Sequence, residues 1–178
     1  MSPKEISEIL AFDRSKISIH RLILKLEKDG FDFQAFFDQL PSIEFPTRWY
    51  MTWMLTHYVE RNTEEGTAHQ DLIWSVLKEC DNQSMLRDLW RTMSLIEVNE
   101  ELAVEVYDAA TKTTICPSTN AIAVRAHAMF TAANIAMPYP ELRSELVLIL
   151  KGFNEDTSAG LRARAKNLIR KLEAQGEK

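Results

Sequence analysis

Apolar residues return at helical spacing along almost the whole chain, and the alternation of a half-buried strand is scarce. Phe33, Phe36, Phe37 and Leu40 form one stripe, and Leu72, Ile73, Val76, Leu77 and Cys80 a second. Leu142, Leu146, Ile149, Leu150 and Phe153 make a third, and Leu102, Val106, Ala109 and Ala110 a weaker fourth. Each stripe predicts a helix that buries one face and turns its charged face to water. Helix-start signals fall between them: Pro46 after "SIEF", Ser118 after Pro117, and Pro140 ahead of Glu141. Five glycines and six prolines leave few of the tight turns that a sheet requires. The pattern predicts an all-α chain.

The pattern also repeats. The stretches "TRWYMTWMLTHYV", "LRDLWRTMSLIEV", "VRAHAMFTAANIA" and "LRARAKNLIRKLE" share a register led by Arg48, Arg87, Arg125 and Arg162, with successive separations of 39, 38 and 37 residues. An apolar side chain follows three residues after each arginine: Met51, Trp90, Ala128 and Ala165. Six residues after come Met54, Met93, Thr131 and Leu168. Regular spacing, a shared apolar register and an amphipathic segment ahead of each arginine predict repeated helix pairs. Residues 1–30 read as a degenerate N-terminal cap pair and 31–174 as four repeats, so 1–178 forms one domain of about five helix pairs.

A helix, a short turn holding an aspartate, then a second helix with an arginine near its start resembles the HEAT-like helical repeat family. Asp81 with Arg87 and Asp156 with Arg162 match that family's aspartate–arginine ladder; Ser42 and Thr119 stand at the corresponding places of the other two repeats. The resemblance implies an α-α superhelix, a solenoid of stacked antiparallel helix pairs. In it the ladder residues Arg48, Asp81, Arg87, Arg125, Asp156 and Arg162 are structural, the guanidinium groups serving acceptors between repeats rather than a reaction.

One helix departs from the amphipathic rule. From Pro46 to about Arg61, the residues Met51, Met54, Leu55 and Tyr58 hold the core positions. At about 100° per residue, Trp49 and Trp53 point about 160° away from Met51, where polar residues belong. Two readings fit: both rings pack against flanking repeats, or Trp49 and Trp53, with His57 and Glu60, form an aromatic patch on the concave face that anchors a partner.

Composition narrows the chemistry. The formal net charge of −5 argues against nucleic acid, which requires a concentrated Lys/Arg surface. Arg162, Arg164, Lys166, Arg170 and Lys171 cluster near the end of the chain, where they complement a helix C-terminus. Cys80 and Cys116 lack metal-ligand spacing and read as reduced, packed thiols. His20, His57, His69 and His127 fall on separate predicted helices, and no H-E-x-x-H, phosphate loop or nucleotide fingerprint occurs. Lys4, Glu5 and Glu8 interrupt the N-terminus where a signal peptide's apolar core would lie, and no run has the length of a membrane span. These readings predict a cytoplasmic, non-catalytic scaffold that binds a protein or peptide, with no catalytic residue, metal or cofactor assigned and the oligomeric state open.

Two enzyme readings stand as the alternative. "IAMPYPE" resembles part of the signature loop of the fumarase and adenylosuccinate lyase superfamily at Ala136, Met137, Pro138 and Tyr139. That loop opens on glycine and serines, where Asn134 and Ile135 stand here, and its lysine position is Pro140. HEAT-like repeats also build alkylpurine DNA glycosylases, whose pattern sets an aspartate one helical turn after a tryptophan. Here the residues four after Trp49, Trp53, Trp74 and Trp90 are Trp53, His57, Lys78 and Ser94.

Overall fold

The structure, a computed structural model, describes residues 1–115, 120–153 and 157–174. Among them are eleven α-helices and one 3-10 turn, and no strand. In chain order they are α1 (Pro3–Phe12), α2 (Lys16–Asp29), α3 (Phe33–Gln39), the 3-10 turn Leu40–Ser42, α4 (Thr47–Arg61), α5 (Thr63–Ala68), α6 (Gln70–Lys78), α7 (Gln83–Met93), α8 (Glu100–Ile115), α9 (Ile122–Ala136), α10 (Pro140–Lys151) and α11 (Ala159–Ala174). The chain is all-α, as its apolar periodicity predicts.

Local chemistry explains the boundaries. Ser2 caps α1 in a reciprocal box with Glu5: the Glu5 amide donates to Ser2 Oγ at 3.3 Å, and the Ser2 amide donates to Glu5 Oε2 at 2.7 Å. Ser15 and Asp32 accept from the amides of Ser18 and Ala35, satisfying otherwise orphaned donors at the starts of α2 and α3. Gly30 closes α2 at φ 86°, a left-handed conformation that a Cβ would strain. Pro46 precedes α4, and Pro140 is the first residue of α10. Ser118, Thr119 and Cys116 lie outside the described residues, and α9 begins at Ile122.

By proximity of the backbone, the chain divides into two units, Met1–Thr92 and Met93–Lys178. In the first, α1 packs on α2, α3 and α4, α2 on α4, and α3 on α6. Its core holds Phe33, Phe36, Met51, Met54, Leu55 and Tyr58, all at 1% exposure or less. Phe31, Phe33, Phe36 and Tyr58 meet edge-on or tilted, with ring centroids 4.6–6.0 Å apart. The stripe on α6 is shifted from the sequence pattern: Ile73, Trp74 and Leu77 are buried, while Leu72, Val76 and Cys80 are half-buried. Trp74 turns inward to meet Trp90 of α7 at 6.1 Å.

In the second unit α9 is the central helix, packed against α8, α10 and α11. Ala128, Ala132 and Ala136, one turn apart, are fully buried, and their small side chains permit close helix approach. The Tyr107 hydroxyl on α8 donates to the Leu142 carbonyl on α10 at 3.2 Å.

A candidate binding surface on the fourth helix

The surface is built outward from the burial of α4. Met51, Met54, Leu55, Tyr58 and Val59 fill the core, and Thr52 and Thr56 are buried beside them. Those threonines are tolerated because each hydroxyl donates to a backbone carbonyl one turn earlier: Thr52 to Trp49 at 2.8 Å and Thr56 to Thr52 at 3.0 Å. Thr56 Oγ1 also lies 3.0 Å from Thr92 Oγ1 and 3.1 Å from the Asp88 carbonyl, a polar seam that fixes α4 against α7. With most of its circumference committed, α4 leaves one strip partly accessible: Trp49, Tyr50, Trp53, His57, Glu60 and Arg61.

Along that strip the four residues singled out in the sequence, Trp49, Trp53, His57 and Glu60, follow one another. Trp49 and Tyr50 are tilted at 4.6 Å, Tyr50 and Trp53 meet edge-on at 6.1 Å, and Trp53 and His57 edge-on at 5.1 Å. His57 Nδ1 lies 3.2 Å from Glu60 Oε2. The other Glu60 oxygen accepts from Arg91 on α7 at 2.9 Å. The two tryptophans differ in commitment. Trp49 donates its indole N–H to Asp88 Oδ2 at 2.9 Å, whereas the Trp53 indole makes only ring contacts among the described residues.

Asp88 is the residue that local sequence reasoning missed. The carboxylate serving Trp49 comes from another helix, so a search four residues beyond each tryptophan passes it by. The repeat register does carry the signal, because Trp49 follows Arg48 as Asp88 follows Arg87. Asp88 is 2% exposed; burial pushes its carboxyl above the usual aspartate value, while Arg87 and then Trp49 draw it back. Both oxygens are engaged: Arg87 donates to Oδ1 at 2.8 Å and Trp49 to Oδ2. The arrangement orients the indole.

The ladder arginines have specific partners. Arg87 takes Asp88 as its carboxylate rather than Asp81, because Trp49 holds Asp88 within reach while Asp81 sits exposed on the loop before α7. Arg48 donates to the carbonyls of Ile43 at 2.7 Å and Pro41 at 2.6 Å. Arg125, 6% exposed, donates to the Thr114 carbonyl at 2.8 Å, and Arg162 donates to the Thr157 carbonyl. Asp156 lies outside the described residues. Three of the four arginines thus tie a second helix to the chain preceding it through main-chain oxygens.

A groove of about 360 Å³ runs between α2 and α4, lined by Lys16, Ile19, His20, Ile23, Trp53, His57, Glu60 and Arg61. Arg61 clasps Glu27 of α2 through two donors at 2.7 and 3.1 Å, and Asn62 adds a third at 3.2 Å. That clasp holds the Glu27 carboxyl below its ordinary value. On the α1–α2 turn, Arg14 donates to the Leu10 carbonyl at 3.1 Å and lies over the Tyr50 ring at 5.0 Å.

Elsewhere, Ala136 ends α9 and Met137–Tyr139 form the turn into α10, where Arg143 donates to the Met137 carbonyl at 2.7 Å. Among the described residues, no three of His, Cys, Asp and Glu converge as a metal-binding group, and no helix is long and apolar enough to cross a membrane. The sequence model for the HEAT repeat domain matches residues 6–172. No curated protein and no solved structure matches the chain.

Proposed function

The chain belongs to the HEAT repeat domain family, and we propose that it serves as a non-catalytic scaffold, binding a protein or peptide through the α4 strip on the concave face of a short repeat array. The carrying observation is that the strip is both held in place and accessible. Trp49 is pinned by Asp88 and Glu60 by Arg91, so Trp53 and His57 stand between two fixed points with their rings half exposed. An aromatic ring already ordered before binding loses little conformational entropy on contact, which suits it to anchor a partner. Trp53 takes the anchoring role, and Trp49 the supporting one.

The test compares capture from lysate, read by mass spectrometry, on the wild-type chain and on Trp53→Ala. A partner retained by the first and lost by the second, with helicity and melting temperature unchanged, supports the reading. Equal capture by both removes the strip from the proposal.

A further inference from the structure

Resting on that reading, we infer that the groove between α2 and α4 takes an acidic peptide segment, seating an apolar side chain against Trp53 and presenting a carboxylate to Lys16 and His20. Charge carries the argument. Although the chain is acidic at −5, the carboxylates nearest the groove and strip are taken by arginines. Asp88 is held by Arg87, Glu60 by Arg91, and Glu27 by Arg61. On the adjoining turn Asp13 accepts from the Ser15 amide at 2.9 Å.

The positive groups are not all matched. Lys16 is exposed and makes no ion pair or hydrogen bond among the described residues; the exposed His20 ring, near Glu27, makes no hydrogen bond there and can donate one. Arg14 adds charge beside Tyr50, its donors turned to the main chain of α1. Lys16, His20 and Ile23 recur at helical spacing on the α2 side of the groove, facing Trp53 and His57 on the α4 side. The lining is apolar at Ile19, Ile23 and Trp53 and cationic toward Lys16, so one apolar residue with a neighbouring Asp or Glu matches it. At about 360 Å³ the groove is near the lower end of the ~300–1,000 Å³ range of binding sites, sized for a short segment.

Single-stranded nucleic acid, the other anionic polymer, fits less well. It needs ring faces on which bases stack and a cationic track along the backbone. Here the rings meet one another tilted or edge-on, and the groove's lysine and arginine, Lys16 and Arg61, make no continuous track, Arg61 being held by Glu27.

Panning a random short-peptide phage library on the full chain tests this, followed by affinity measurements with synthetic versions of the enriched sequences. The expected peptides carry an Ile, Leu, Met or aromatic residue beside Asp or Glu. Lys16→Glu should weaken them about tenfold or more, Lys16→Arg should restore them, and added salt should weaken them. Lys16 is exposed, so these variants should fold; circular dichroism and melting temperature check that. Neutral or basic peptides that depend on Trp53 would overturn the acidic assignment and leave the anchoring strip standing. Peptide enrichment indifferent to both Trp53 and Lys16, or no enrichment, would overturn assignment and strip together. Tight binding of oligo(dT), abolished by Lys16→Glu, would overturn the peptide assignment in favour of nucleic acid.

Discussion

At the scale of single residues, the informative contact is the one between Trp49 and Asp88. Asp88→Asn keeps a carbonyl oxygen for the indole and removes a charge that burial disfavours. Its expected cost at neutral pH is about 1 kcal/mol or less, since half-exposed Arg87 can turn to water. Asp88→Ala should cost about 1–3 kcal/mol, because the indole donor loses its acceptor. The pH dependence has a definite sign. The folded-state pKa of Asp88 is raised, so the folded chain takes up this proton at a higher pH than the unfolded chain does. Its contribution to stability is therefore present at acid pH and lost as pH rises through the folded value. Chemical denaturation of wild type and Asp88→Asn should show the wild type gaining on the variant as pH falls from neutral into the carboxylate range. A constant difference would mean that burial does not perturb Asp88. Sequence spacing made the arginines legible because they recur; their acceptors were not, because a main-chain oxygen has no letter in the sequence. Arg48 meeting Pro41 and Ile43, and Arg125 meeting Thr114, are of this kind.

At the scale of elements, legibility followed amphipathicity. The α3 stripe is buried as read, because a helix with one apolar face has one way to lie. The α6 stripe was read partly onto the wrong side, since Leu72 and Val76 compete with Trp74 and the larger ring wins the interior. Helices α4 and α9 are buried on several sides, so their faces are set by neighbours rather than by pattern. That distinction separates stability from binding on α4. Leu55→Ala, which empties a fully buried site, should cost about 2–5 kcal/mol, whereas Trp53→Ala at the accessible strip should cost markedly less. Urea titrations of the two variants check the order; a larger loss for Trp53 would make it a core residue. On α9 the row of buried alanines predicts the opposite sensitivity. Ala132→Leu should destabilise by about 1–3 kcal/mol or more through overpacking, measured in the same way. The Asp88 carboxylate at Trp49 and the Lys16 ammonium beside the Trp53 groove stayed hidden from the sequence because they sit on α7 and α2, far away along the chain.

At the scale of the whole molecule, the sequence reading of one domain and the division into two units make different demands on unfolding. The division falls between Thr92 and Met93, inside α7, and both residues are fully buried. A boundary between independent domains belongs in an exposed linker, where few interactions depend on the chain staying intact. Here it passes through the last turn of a helix. Repeat chains also gain much of their stability from nearest-neighbour terms, so loss of one repeat weakens the next. We therefore propose that residues 1–178 unfold as one cooperative body. Scanning calorimetry should give a single transition whose calorimetric and van't Hoff enthalpies agree. A destabilising change in the first unit, such as Leu55→Ala, should lower the whole transition rather than split it. Two resolved transitions, with only the earlier one shifted by Leu55→Ala, would show that α7 joins two separately folding parts.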